Sequence, residues 1–177
     1  MSANIDINAI TRQGMSTESA LAFFDELATV AIDDMLGTWH GEGFPTGHSM
    51  DGLLENFDWQ GKQFISSEEV HPLMFNNRGS QVFLDPRWMP LKYARHTPLA
   101  NNPVSRQLFR MLMPLMKTSQ SRARLRMLEH RGKVSATMVY DEKPINDVFR
   151  KIDDDTLLGL MDLKGKFKPF FFLLRRA

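Results

Sequence analysis

The 177-residue chain has no cysteine, no long apolar run and no marked excess of one charge. The absence of cysteine excludes disulfide bonds, thiolate metal sites and a cysteine nucleophile. The most apolar run, residues 170–174, is much shorter than the roughly 20 residues of a membrane-spanning helix. The 22 basic and 21 acidic residues leave a net charge of +1, which argues against nucleic-acid binding.

The chain also has no basic segment followed by an apolar one near its start, so no secretory signal is predicted. Together with the lack of cysteine, this favours a cytoplasmic protein. The length and the 42% hydrophobic content are typical of one globular domain. We therefore expect a loose arm over residues 1–15 and a single domain over residues 16–177.

The charges are unevenly distributed along the chain. Residues 1–60 contain ten acidic residues and one basic residue, whereas residues 104–133 contain eight basic residues and one acidic residue. The two segments either lie together and neutralise each other, or the basic one attracts an anionic ligand, partner or membrane. Composition alone leaves both interpretations open.

Two amphipathic helices are predicted. Ser16 or Thr17 is a suitable N-cap for a helix that extends to Val30. The second helix, near residues 104–117, contains Pro114, which is expected to kink or end it. Its predicted buried face consists of Val104, Leu108, Met111, Leu112 and Leu115.

The remaining pattern is typical of antiparallel strands. Residues 36–43 form a predicted strand with Trp39 and three glycines on one face, and short strands follow at 61–65, 70–75 and 81–84. Hairpin-linked strands at 122–127, 134–140, 146–152, 156–163 and 168–175 fill the C-terminal part of the chain. The last run, 170–174, is apolar on both faces, so we expect the barrel interior on one side and the second helix on the other. The fold class is therefore mainly β, a closed antiparallel barrel, with an α+β open sheet as the alternative.

Residues 37–48, Gly-Thr-Trp-His-Gly-Glu-Gly-Phe-Pro-Thr-Gly-His, resemble the signature of the bacterial GXWXG-domain family. Residues 124–127, 134–141, 144–147 and 159–165 resemble the domain of unknown function that follows it in this family. The resemblance implies a GXWXG module over about residues 16–80 and a C-terminal meander over about residues 120–177. The family has no established activity.

The Gly-x-Trp element also resembles the first strand of lipocalin-like and nitrobindin-like barrels. This resemblance implies that Trp39 closes one end of the barrel, with Arg175 or Arg176 stacked on its ring. Nitrobindin-like proteins bind haem through a late histidine, but no histidine follows His130 here. Met138 and Met161 are the only soft ligands on the late strands, so haem is disfavoured and no cofactor is expected.

His48 is the first candidate for a functional histidine, because Asp51 follows three residues later and could fix its tautomer. The alternative is a histidine that caps or anchors the loop. The other histidines have no metal-ligand spacing, and no metal site is predicted; they are His40, His71, His96 and His130.

Charged residues within the predicted strands are the remaining candidates. Asp147 either pairs with Arg150 or Lys151 at the surface, or joins Arg126 and Tyr140 in a polar cluster inside the barrel. Arg126 also shares a strand face with Arg122 and Arg124, which is either solvated or binds an anion. The candidate ligand-binding residues are Trp39, His48, Arg126, Met138, Tyr140, Asp147, Arg150 and Met161.

We expect a barrel that binds a small, largely apolar molecule such as a lipid-like metabolite. The alternative is an enzyme, an isomerase or hydrolase, in which His48 and a carboxylate of Asp51 or Asp147 transfer protons on an apolar metabolite. A weaker third hypothesis is an interaction module that uses the basic segment. Self-association into a homodimer is left open.

Overall fold

The computed structural model describes residues 7–89, 102–166 and 168–177, in which helices and strands alternate with short connections. The helices are α1 (Ile7–Gln13), α2 (Thr17–Glu26), α3 (Ile32–Met35), α4 (Leu53–Asn56) and α5 (Pro103–Met116), with a 3-10 turn at Pro86–Trp88. The strands are β1 (Ala28–Thr29), β2 (Gly37–Gly43), β3 (Trp59–Phe64), β4 (Val70–Asn77), β5 (Ser80–Phe83), β6 (Ala123–His130), β7 (Lys133–Tyr140), β8 (Ile145–Asp153), β9 (Thr156–Leu163) and β10 (Phe170–Arg176).

Eight antiparallel strands form a closed barrel, as predicted. Their order is β8-β7-β6-β4-β3-β2-β10-β9, and β9 pairs with β8 to close the ring. Strand β1 adds to β8, and β5 adds to β4. The joint between β4 and β6 is narrow. Val70 lies opposite Ala123, and the flanking backbone bonds run from Arg122 N–H to the Val70 carbonyl and from Leu125 N–H to the Ser67 carbonyl. Strands from both halves of the chain therefore build the same core.

The barrel has an apolar layer on each side of its C-terminal strands. Because side chains alternate along a strand, Phe170, Phe172 and Leu174 of β10 face the interior, and Phe171 and Leu173 face outward. The prediction of cover on both faces is confirmed. The outer cover comes from α1 and α2, however, and the prediction that the second helix supplies it was wrong.

The amino-terminal region is more ordered than the sequence predicted. The loose arm is wrong for residues 7–13, which form α1 and bury Ile10. Ser16 caps α2 by accepting a hydrogen bond from Ser19 N–H at 3.0 Å, as predicted. This helix ends at Glu26 instead of reaching Val30, because residues 28–29 leave it to pair with β8.

Helix α5 has the predicted position and ends two residues after Pro114. Its orientation differs from the prediction: Met113 and Met116 are buried, while the five residues expected in the core are exposed. His96 and most of the predicted irregular connection lie outside the described residues. Within the described part of the chain, no helix has the length and apolarity to span a bilayer.

Trp39 closes one end of the barrel. Its indole N–H donates to the Met35 carbonyl at 2.7 Å, and the Arg176 guanidinium lies 4.3 Å from the ring centroid. The predicted arginine stacking is thus confirmed for Arg176, whereas Arg175 pairs with Glu42 at 3.0 Å. Gly41 completes the motif because a Cβ there would lie 2.0 Å from the Trp59 ring.

Part of the charge asymmetry is neutralised by pairing between the two segments. Arg131 pairs with Asp25 at 2.6 Å, and Arg110 pairs with Asp58. Other bases of the basic segment pair with acids elsewhere, namely Arg122 with Asp85, Arg124 with Asp141 and Arg126 with Glu68.

Candidate functional site

A cavity of about 110 Å³ lies at the end of the barrel opposite Trp39. Helix α4, the 3-10 turn and residues of six strands, β3, β4, β7, β8, β9 and β10, surround it, and nearly all of its wall is apolar. The lining residues are Met50, Leu53, Leu54, Phe57, Trp59, Lys62, Leu73, Phe75, Pro86, Met89, Tyr140, Lys143, Ile145, Met161, Phe170 and Phe172. Ligand sites are usually mostly apolar cavities with a few polar groups, and most of them are larger than this one.

The loop that carries α4 over this cavity is held by Asp51. Its Oδ2 accepts hydrogen bonds from the backbone N–H groups of Thr46 and His48, at 2.9 and 2.8 Å. His48 Nδ1 in turn accepts from Met50 N–H at 3.1 Å. The structure therefore brings His48 and Asp51 together through the backbone, as loop anchors, and neither lines the cavity.

The only charged pair inside the described barrel is Lys62 with Asp147. Lys62 Nζ lies 2.9 Å from Asp147 Oδ2, and both side chains are almost fully buried. Lys62 also donates to the Pro72 carbonyl at 3.3 Å. The rings of Trp59, Tyr140 and Phe172 surround the ammonium group at 5.0–5.7 Å from its nitrogen. Such a pair is expensive to bury, so its position beside a cavity makes it the main candidate for function.

Burial changes the proton affinities at this pair. Desolvation raises the pKa of the Asp147 carboxyl, although Lys62 and the Tyr140 hydroxyl both act to lower it. The pKa of the Tyr140 hydroxyl is raised well above its usual value, first by burial and then by the neighbouring Asp147 carboxylate. The low polarity of the surroundings thus outweighs the attraction of the ammonium group for the carboxylate.

A β-bulge turns Lys62 inward. The pairing of β3 with β4 shifts register on both sides of Gly61, which has a φ of +128°. Trp59 and Lys62 therefore both face the interior, although they are three residues apart and strict alternation would place them on opposite faces. On its other side β3 pairs with β2, where Lys62 lies opposite Trp39, whose side chain also faces the barrel interior.

Two polar atoms inside the barrel have no hydrogen-bond partner among the described residues. They are the indole N–H of Trp59, whose ring lines the cavity, and Oδ1 of Asp147. Buried polar groups in folded proteins are nearly always paired, so these two atoms are exceptions to the usual pattern.

Four of the predicted ligand-binding residues lie at or below the cavity. Tyr140 and Met161 line it. Asp147 lies beneath them between Met138 and Met161, which are opposite it on the neighbouring strands. The predicted cluster inside the barrel is thus partly present, with Lys62 as the cation.

The two predicted arginines lie outside the barrel. Arg126 is partly exposed and pairs with Glu68 at 2.7 Å. Arg150 is buried under α2, where its guanidinium stacks 4.8 Å from the Phe24 ring and donates to the His130 carbonyl at 3.0 Å. The proposed pairing of Asp147 with Arg150 was wrong, because residues three apart on a regular strand face opposite sides.

The described histidines pack against neighbouring side chains or face outward, and none of them lines the cavity. His71 stacks on Phe83 with ring centroids 4.1 Å apart, and His40 points outward from β2. Burial lowers the pKa of His48, of His71 and of His130. In residues 7–89, 102–166 and 168–177, no three side chains of the ligating types form a group able to hold a metal ion.

Sequence reasoning missed Lys62, Trp59 and Phe172. A lysine within a strand whose neighbours are Trp59 and Phe64 is a usable signal, since charge inside an apolar strand requires a partner. Whether the Lys62 side chain faces the interior or the solvent depends on the bulge at Gly61. Strict alternation along the strand would place Lys62 and Trp59 on opposite faces.

Comparison with known proteins matches two segments of the chain, each about a third of its length, to two family models. Residues 22–79 match the GXWXG protein family, and residues 121–176 match the domain of unknown function DUF4334. A crystal structure of a protein from Thermomonospora curvata is 31% identical, with a TM-score of 0.69 over 96% of this chain and 95% of that one. No functionally curated protein matches the chain. The chain therefore belongs to the GXWXG family and carries DUF4334 as its C-terminal domain.

Proposed function

We propose that the barrel binds a small, mostly apolar molecule that carries one neutral hydrogen-bond acceptor, such as a carbonyl oxygen. The observation that supports this most strongly is the apolar cavity with two donors in its wall. One is the unpaired indole N–H of Trp59, and the other is the Lys62 ammonium, which uses only two of its three N–H groups in the contacts described above.

The size of the cavity limits the ligand. A volume of about 110 Å³ is somewhat below the roughly 150 Å³ of an engineered cavity that binds benzene. The enclosed part of the ligand is therefore at most about six heavy atoms, and a longer molecule must extend through the opening beside α4.

The charge balance favours a neutral acceptor over a carboxylate. Asp147 already neutralises Lys62, so an additional anion would leave a net negative charge in a site that is almost without water contact. A carbonyl oxygen accepts from the two donors without adding charge, which avoids that desolvation cost.

A second candidate function is proton transfer on a bound carbonyl compound. It is favoured by the raised pKa of Asp147 directly beneath the cavity, since catalytic acids and bases show such shifts. In this alternative Asp147 takes the role that the sequence assigned to His48. Incorporation of solvent deuterium beside the carbonyl of a bound ketone would distinguish catalysis from binding alone.

Native mass spectrometry of protein purified without detergent tests the proposal. We expect a fraction of the protein to carry extra mass that is lost on organic extraction, and the extract to contain a neutral compound with a carbonyl or hydroxyl oxygen. Met161→Trp should abolish the extra mass, because the larger side chain fills the cavity that Met161 lines.

Met127→Trp is the matched control, since Met127 lies on β6 with much of its side chain exposed. It should keep the extra mass. A wild-type protein that is always empty, and that stays empty after incubation with methyl butyl ketone, would contradict the proposal.

A further inference from the structure

Helix α5 presents an apolar face to solvent. Five of its residues, spaced to lie on one side of the helix, are between 43% and 77% exposed; they are Val104, Leu108, Met111, Leu112 and Leu115. The opposite side of the helix buries Met113 and Met116 against the barrel. Single exposed apolar residues are ordinary, but a continuous stripe over three turns indicates an interaction surface.

Basic residues predominate around this face, and the acidic Asp58 beside it is paired with Arg110 of the helix. Residues 102–128 contain no acidic residue. Arg106 and Lys117 of this segment, and Arg78 of the neighbouring β4–β5 turn, form no ion pair with a described acidic side chain. Arg78 lines a groove together with Arg110 and Met111 of α5, so its charge lies beside the apolar face. The helix thus combines an exposed apolar stripe with cations only.

We propose that α5 docks the protein on an anionic lipid surface, lying in the plane of the membrane with its exposed face among the acyl chains. A helix with a strong apolar face, low overall hydrophobicity and only Lys and Arg as charges is typical of interfacial membrane binding. The apolar stripe would be buried among the acyl chains, and Arg78, Arg106 and Lys117 would be attracted to the negative headgroups.

A second copy of the chain is a poorer occupant of the same face. Two-fold pairing of α5 with itself would bring together two helices whose only charged residues are basic, with no acidic residue on either helix to compensate. An anionic bilayer matches both the apolar stripe and the charge.

The barrel-facing side of α5 adjoins the cavity through one aromatic residue. Phe109 of α5 lies with its ring 4.6 Å from that of Phe57, which lines the cavity, and 5.3 Å from that of Phe75. Membrane docking would therefore place the cavity close to the lipid surface. The docking proposal stands on the face and its charges and does not require that the cavity binds a ligand.

Flotation with vesicles tests the proposal. We expect the full chain to float with vesicles of phosphatidylcholine and phosphatidylglycerol, to float much less with phosphatidylcholine alone, and to be released by high salt. The triple variant Leu108→Ser, Met111→Ser, Leu115→Ser should reduce the partition coefficient at least about a hundredfold. The variant Arg106→Gln, Lys117→Gln should reduce it roughly twentyfold.

The control variant is Ile65→Ser, Met127→Ser, Val134→Ser, which changes three exposed apolar residues elsewhere. It should float like the wild type. Absence of flotation with anionic vesicles, or equal losses in the two triple variants, would overturn the proposal. So would a wild-type dimer in sedimentation that dissociates in the α5 variant without any flotation, because the face would then join two copies. Ketone binding by the α5 variant should be unchanged, which separates this test from that of the cavity.

Discussion

Replacing Lys62 with methionine is expected to destabilise the protein by about 3–5 kcal/mol at neutral pH. The reason is that Asp147, almost fully buried 2.9 Å from the ammonium group, would lose its countercharge and keep one oxygen without any described partner. The cost should shrink as the pH falls. Burial already raises the pKa of Asp147, and removal of Lys62 raises it further, so the folded variant takes up a proton that the unfolded chain does not.

Guanidinium denaturation of two further variants checks the cause. The double variant Lys62→Met, Asp147→Leu should recover most of the lost free energy of unfolding, because a well-packed apolar pair replaces a buried ion pair at little cost. Arg126→Met, which breaks the exposed pair with Glu68, should cost less than about 1 kcal/mol. Equal destabilisation in the single and the double Lys62 variants would show that the charge pair is not the source.

The second large effect is expected at Gly61. A Cβ at this position would lie 1.9 Å from the Trp39 carbonyl oxygen and 2.7 Å from the Gly41 nitrogen. Both are backbone atoms of β2 and cannot rotate away, and the φ of +128° is itself unfavourable for alanine. Gly61→Ala should therefore cost more than about 3 kcal/mol and disturb the bulge that turns Lys62 into the barrel.

Gly132→Ala is the matched control for this substitution. Gly132 also has a positive φ, of 76°, but no atom lies within 4 Å of its Cβ position. The expected cost is about 1 kcal/mol, from backbone strain alone. If the two variants unfold at the same denaturant concentration, close packing of β2 on β3 at Gly61 does not limit the stability of the barrel.

The barrel itself was predictable because each strand carries a local signal. Alternation of apolar residues, hairpin turns such as Gly132, and the Trp39 motif each depend only on neighbours in the sequence. Together they give the number and direction of the C-terminal strands and the closed end at Trp39.

The site was only partly predictable, because it depends on deviations from those regular patterns. The bulge at Gly61 moves Lys62 to the interior, and no alternation rule locates a bulge from one sequence. The apolar stripe of α5 predicted a buried face, since sequence pattern cannot distinguish a face that packs on the barrel from one that stays exposed. The outward position of Arg150 relative to Asp147, in contrast, follows from the strand period.

Isothermal titration of methyl butyl ketone tests the central claim, that a neutral acceptor binds against Lys62 in the cavity. The wild type should bind it at one site, and more tightly than hexanoate. The double variant Lys62→Met, Asp147→Leu should fold but bind the ketone about tenfold more weakly, because one charged hydrogen bond is lost. Equal affinity of both proteins for the ketone, or a wild type that binds hexanoate and not the ketone, would contradict the account.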